Sequence, residues 1–210
     1  PRCVEAYFPN RVSSAILSAH AVLELGEDAL RKLCLDFFND TYLVDQNACS
    51  SPNVIFWQGS PVDCKAARVL FWDALGRHLS STYKLDPLAR IDRSLDVMAL
   101  VGVARNSVDV AQDYDDIWLL SNSHLRGQKL RFGMFLEIEI DELAQLSKFL
   151  RDNEQTLSVF GVDQELVFDA LKADMSCVDR IVPVGRALDI GFNWDGREML
   201  SLFSKKIQVG

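Results

Sequence analysis

Thiol chemistry is the chemistry this sequence offers most readily, because five cysteines (Cys3, Cys34, Cys49, Cys64 and Cys177) are scattered without Cys-x-x-Cys spacing or a paired-histidine pattern. An odd, unpaired set predicts neither a disulfide framework nor a zinc site. Free thiols suit a reducing compartment. Most buried cysteines are small hydrophobes, so a nucleophile must be distinguished by its surroundings. Cys34 falls on the apolar stripe Leu30, Leu33, Cys34, Phe37 and Phe38 of a helix expected over Asp28 to Asn39, and reads as core. Cys64 falls in the first turn of the next helix, where the amino terminus alone is weak evidence of reactivity. Cys49 differs. It stands in Asp45-Gln46-Asn47-Ala48-Cys49-Ser50-Ser51-Pro52, a polar loop leading directly into the apolar run Val54 to Trp57. A thiol there meets substrate while the strand fixes its backbone, and its own N–H can help hold an oxyanion formed on attack at a carbonyl.

The other candidates carry less. His20, His78 and His124 lie far apart and outside any signature, and read as surface or satisfied side chains. Glu137 and Glu139 share one strand face, an arrangement open to acid/base work but better read as a solvated edge. No Gly-x-Gly-x-x-Gly, Walker loop, Gly-x-Ser-x-Gly or His-Glu-x-x-His is present.

The elements that must position these residues follow from local pattern. Cys3 to Phe8 and Val12 to Ser18 read as strands around a Pro9-Asn10 turn, a hairpin-like start. Val54 to Trp57 reads as a fully buried strand. Ser60-Pro61-Val62-Asp63 supplies an N-cap, a first-turn proline and a carboxylate for the helix dipole, predicting a helix to about Leu79. Asp86-Pro87 repeats the signal ahead of Leu88, Ile91, Leu95, Met98 and Val101. Strands are expected near Ile117 to Leu120, Phe132 to Ile140, Thr156 to Phe160 and Arg180 to Val184, with helices over Asp141 to Arg151 and Asp163 to Lys172. Such alternation predicts an α/β sandwich around a largely parallel sheet.

The bulk composition agrees with a globular chain. Its 210 residues are 49% hydrophobic, enough for a sizeable core in one or at most two domains. A formal net charge of −8 gives no footprint for nucleic acid or an anionic membrane. No apolar stretch approaches the roughly eighteen residues of a membrane span, and the expected location is cytoplasmic.

The segment Asp45 to Pro52, followed by its apolar strand, resembles the active-cysteine segment of the fatty acyl-CoA reductases of bacterial bioluminescence, a branch of the aldehyde dehydrogenase superfamily. Asp179-Arg180-Ile181-Val182-Pro183-Val184-Gly185-Arg186-Ala187-Leu188-Asp189, with Trp194-Asp195-Gly196 after it, is similar to the closing segment of the same family. Glu137 to Gly161 follows the strand, helix, strand pattern of the superfamily's catalytic domain. The resemblance implies a three-layer α/β catalytic domain filling residues 1–210, with a nicotinamide-binding domain absent from this chain. It also implies NADPH-dependent reduction of long-chain acyl-CoA, or of an acyl-enzyme thioester, to fatty aldehyde, with Cys49 as the nucleophile that holds the acyl group.

Gln46, Asn47, Ala48 and Ser50 would then support the active-site loop, and Phe192 and Trp194 are candidates to line an acyl channel. The implied partners are long-chain acyl-CoA or an acylated partner protein, an acyl-protein synthetase or acyltransferase, and a homo-oligomer is among the expectations. An ungapped match of Val4 to Leu17 to the superfamily's Glu-Leu-Gly-Gly-Lys strand places Tyr7 where oxidising members have a water-activating glutamate. Another register would bring Glu5 or Glu24 there. Loss of a hydrolytic base favours thioester reduction over oxidation to a free acid. Two other readings compete: an acyl-transfer or acyl-binding module that uses Cys49 without redox chemistry, and a noncatalytic interaction domain.

Overall fold

Continuous burial along the central strands decides the architecture. The computed structural model describes residues 5, 10–103, 109–121, 125, 128, 130–172 and 178–205. The elements in chain order are β1 (Val12–Ser18), α1 (Ala19–Leu23), α2 (Glu27–Asp40), β2 (Pro52–Gln58), α3 (Pro61–Thr82), α4 (Pro87–Val103), β3 (Asp109–Tyr114), β4 (Ile117–Ser121), β5 (Met134–Ile140), β6 (Glu154–Phe160), α5 (Gln164–Lys172), β7 (Arg180–Pro183), β8 (Asn193–Trp194), β9 (Arg197–Glu198) and α6 (Met199–Phe203). The main sheet has the order β3-β4-β5-β2-β1-β6-β7. Its last six strands in that order are parallel, and β3 pairs antiparallel at the edge.

Side chains of a strand alternate between faces, so each central strand feeds two cores. Ala15, Leu17, Ile55, Trp57 and Phe135 pack with Leu33, Phe37, Phe71 and Leu75 of α2 and α3. Ile16, Val54, Phe56, Leu136, Ile138, Leu157 and Val159 pack with Leu100 of α4, Leu146, and Val167 and Leu171 of α5. Helices thus cover both faces of the sheet, giving the expected three-layer α/β sandwich. Each fully buried Leu, Ile or Phe contributes roughly 1.5–3 kcal/mol of transfer free energy.

Several local expectations hold with small shifts. The α3 start is capped by Ser60, whose hydroxyl accepts the Asp63 N–H at 3.2 Å, with Pro61 opening the helix. The helix expected over Asp141 to Arg151 is instead a 3-10 segment, Leu143–Lys148. Leu143, Leu146 and Phe149 face the second core at a spacing of three, which matches three residues per turn better than 3.6.

The strand expected from Phe132 begins at Met134, because Phe132 (φ 61°) and Gly133 (φ 81°) are both left-handed and turn the chain first. The hairpin-like start is corrected: β1 has β2 on one side and β6 on the other, so neither of its edges is open to a hairpin partner. The strand expected over Cys3 to Phe8 lies, apart from Glu5, outside the described residues. The apolar stripe of α4 also behaves differently. Leu88, Ile91, Leu95, Met98 and Val101 are exposed, while Arg93 and Leu100 are buried and Val97 packs on the second core.

Among the described residues, no helix is long and apolar enough to cross a membrane.

Candidate functional site

Cys49 sits between α2 and β2, at the amino end of the parallel strands, where β2 pairs with β1 through Ser13 and Pro52. The thiol is exposed, whereas Cys34 and Cys64 are fully buried. Burial pushes the Cys34 thiol up to about 12 and the Cys64 thiol up to about 11, so neither forms thiolate readily near neutral pH. The Cys64 sulfur is spent on the Trp57 carbonyl at 3.6 Å. Of the three described thiols, Cys49 alone can meet a substrate.

The loop around it is held by side chains distant in sequence. Asp45 and Gln46 both take left-handed backbone (φ 50° and 57°), as Phe132 does nearby. Such conformations cost about 1–2 kcal/mol for a residue with a Cβ and persist only where the surroundings enforce them. Here the enforcement is visible. The Phe132 N–H donates to the Asp45 carbonyl at 3.2 Å, and the Tyr83 hydroxyl donates to the Asp45 carboxylate at 2.6 Å. The buried Gln46 amide donates to the Pro52 and Met134 carbonyls, both at 2.9 Å, and accepts the Gly133 N–H at 3.0 Å. Gln46 thereby closes the segment 46–52 and ties it to the start of β5.

The other loop candidates fill lesser parts. Asn47 is exposed and its amide donates to the Asp45 carbonyl at 3.1 Å. The Ala48 carbonyl accepts the Ser51 N–H at 3.1 Å in a tight turn across Cys49. Ser50 is buried beside the thiol-bearing residue, and the buried Ser51 hydroxyl has no partner among the described residues. The Cys49 carbonyl accepts the Ser13 hydroxyl at 2.7 Å.

Phe192 and Trp194 come from the far carboxyl segment. Phe192 is exposed, and the Arg180 guanidinium lies 4.9 Å over the Trp194 ring. Asp195 takes the amide of Gln155, at the amino end of β6. This brings Trp194 to the same end of the sheet as Cys49, with β1 and β6 between them.

Two residues escaped the sequence reading. Ser13 is fully buried, and Glu154 opens β6 as a buried carboxylate that accepts the Ser14 hydroxyl at 2.9 Å. Their only sequence signal is polarity inside otherwise apolar strands. Glu137 is not a solvated edge: β5 is an interior strand, and one Glu137 oxygen accepts the indole N–H of Trp57 at 2.7 Å and of Trp72 at 2.8 Å. Glu139 does reach solvent, paired with Arg68 at 2.7 Å.

Tyr7 lies outside the described residues. Glu24 follows α1 at the carboxyl end of β1, paired with His20 at 3.4 Å. A seven-residue strand spans roughly 20 Å, which separates Glu24 from the Cys49 end of the sheet and removes it as a water-activating base. A separate cleft of about 740 Å³, lined by Leu79, Tyr83, Lys84, Arg90, Asp115 and Asp116, takes no wall from residues 46–50.

No family model matches the sequence, and no curated protein matches it significantly. Solved structures do resemble it in shape. The NAD-dependent aldehyde dehydrogenase of Sinorhizobium meliloti superposes with a TM-score of 0.57 at 9% identity, over 83% of this chain and 37% of that one. The 1-pyrroline-5-carboxylate dehydrogenase from Thermus with bound NAD gives 0.53 at 10% identity, over 82% and 36%. An apo betaine aldehyde dehydrogenase variant of Staphylococcus aureus, with a β-mercaptoethanol-modified cysteine, gives 0.53 at 14% identity, over 83% and 38%. The chain spans well under half the length of these dehydrogenases, and what the likeness shows is that it has the fold of the aldehyde dehydrogenase catalytic domain.

Proposed function

We propose that this chain is the catalytic domain of a nicotinamide-dependent oxidoreductase that reduces long-chain acyl-CoA, or an acyl-enzyme thioester, to fatty aldehyde, with Cys49 as the acyl-carrying nucleophile. The observation that carries the reading is the exposed Cys49 thiol in a braced loop, at the amino end of the central strands, in a fold shared with aldehyde dehydrogenases. The acyl-CoA specificity, the preference for NADPH and the acyl-protein synthetase or acyltransferase partners rest on the resemblance of the Asp45 to Pro52 and Asp179 to Gly196 segments.

The described residues do not fit a dinucleotide's phosphates. Helix amino termini are ready sites for a pyrophosphate, but those of the long helices here already carry or adjoin carboxylates: Glu27 and Asp28 on α2, Asp63 on α3, Asp86 just before α4, and Asp163 and Glu165 at α5. Hydride donation therefore belongs, on this proposal, to a domain outside the described residues. This chain's own part is to bind the acyl thioester, accept the acyl group on sulfur and keep water from it; by the ungapped sequence match, Tyr7 replaces the base of oxidising members. A thioester keeps its carbonyl electrophilic enough for later reduction, which a carboxylate would not.

Incubation with palmitoyl-CoA followed by intact-mass measurement tests the reading. Addition of one acyl group to the wild-type chain, lost in Cys49→Ala and kept in Cys64→Ala, supports it. An unlabelled wild type, or label that survives Cys49→Ala, refutes it and favours the noncatalytic interpretation.

A further inference from the structure

The ladders on both sides of β1 break at one residue. Pairing with β2 shifts register between Ser13 and Ser14, and pairing with β6 shifts between Val12 and Ser14. Irregularities of this kind re-aim a side chain or end a pairing, and they gather next to active sites. Ser13 keeps its pairing with Pro52 of β2 but has no ladder partner in β6, and on that side its side chain takes over. Its hydroxyl accepts the Thr156 N–H of β6 at 3.1 Å and donates to the Cys49 carbonyl at 2.7 Å. A hydroxyl has one proton to give and lone pairs to receive with, so this pair of bonds fixes the proton's direction: it points at Cys49. Ser13 is fully buried, out of reach of bulk solvent.

We infer that Ser13 is a positioning residue for acyl transfer to Cys49, anchoring the Cys49 carbonyl so that the backbone carrying the thiol and the residue's own N–H keeps a fixed orientation towards the oxyanion. The inference rests on the proposed nucleophilic role of Cys49. A trans peptide is planar, with N–H and C=O on opposite sides. The Ser51 N–H holds the Ala48 carbonyl, and with it the plane that carries the Cys49 N–H, while Ser13 holds the Cys49 carbonyl, so both peptide planes flanking the thiol are pinned. In the step concerned, a sulfur lone pair of the Cys49 thiolate forms the S–C bond to the thioester carbonyl carbon, and the carbonyl π pair moves onto oxygen. That oxyanion is what the N–H meets. The pair then returns to re-form C=O as the bond to the coenzyme A sulfur breaks. The departing thiolate takes up the proton that the Cys49 thiol gave up. Oxyanion donors act through fixed orientation, so a loosened peptide plane weakens the donor without removing it.

Two reactions of the same thiol separate this role from a merely structural one. Attack on palmitoyl-CoA builds an oxyanion, whereas alkylation by iodoacetamide displaces iodide from a saturated carbon and builds none. Both rates are measured by intact mass on the full chain. Ser13→Ala is expected to slow acylation roughly tenfold, less than the 10²–10³ lost when a donor is removed outright, while alkylation stays within about twofold of wild type. Ser13→Thr, which keeps the hydroxyl, is expected to recover most of the acylation rate. Ser13→Cys, close in size and a weak donor, gives the same reading, with the label assigned to Cys49 by peptide mass, if the alanine variant does not fold. Acylation unchanged in Ser13→Ala, or acylation and alkylation falling together, overturns the positioning role while leaving Cys49 as nucleophile. A wild-type chain that alkylates at Cys49 but never acylates overturns the proposed function and this inference with it.

Discussion

Gln46→Ala should destabilise the fold out of proportion to the size of the side chain removed. Gln46 is 2% exposed, and its amide serves three backbone groups: the Pro52 and Met134 carbonyls and the Gly133 N–H. Removing one partner of a buried hydrogen bond costs about 1–3 kcal/mol per orphaned group. Water entering the vacated space recovers part of this, so the three together come to roughly 3–5 kcal/mol. At roughly 2–4 °C per kcal/mol for a chain of this size, the melting temperature should fall by about 6–20 °C. Urea unfolding with the m value unchanged is the measurement.

Gln46→Glu sharpens the test. It keeps the shape and the acceptor for Gly133 but turns a donor towards two carbonyls into a carboxylate, which must be protonated to donate. Its deficit should therefore be larger at pH 8 than at pH 5, while that of Gln46→Ala should not change between them. A Gln46→Ala loss under 1 kcal/mol would refute the claim that this amide holds the cysteine loop.

Two further outcomes follow from the same geometry. Asp40 is fully buried at the end of α2 and accepts the Gly185 and Ala187 N–H groups at 2.7 and 2.8 Å. Burial outweighs these bonds and raises its pKa from 3.8 to about 6, so folding favours the protonated acid. This contribution to stability is fully present below about pH 3.8 and is lost as pH rises through about 6. The urea midpoint difference between wild type and Asp40→Asn should accordingly change across pH 4–7, and a constant difference would contradict it. At Gly133, where φ is +81°, an added Cβ would meet the Asp116 carbonyl oxygen at 2.1 Å. Gly133→Ala should cost more than about 3 kcal/mol through backbone strain and overpacking, and a soluble variant with a wild-type melting temperature would be evidence against this turn.

What the sequence determined by itself was local. Ser60-Pro61-Val62-Asp63 and Asp86-Pro87 marked helix starts, since caps act through neighbours three or fewer residues away. The apolar run before Gln58 marked a strand buried on both faces, and the polar loop before it marked Cys49 as the exposed thiol among the three described. The period of Leu88, Ile91, Leu95, Met98 and Val101 gave a helix but not its orientation, because periodicity says that a face is apolar and not what covers it.

Tertiary structure decided the rest. Glu137 became an anchor for two indoles only because β2 pairs with β5 and α3 packs over them, bringing in Trp57 from 80 residues away and Trp72 from 65. Ser13 reaches Thr156 across 143 residues, and Gln46 reaches Met134 across 88. A buried polar side chain is defined by the partner that satisfies it, and a partner so distant leaves no trace in the residues beside it. The exposed cysteine could therefore be read from its loop, whereas the groups that hold that loop could be found only in the folded sheet.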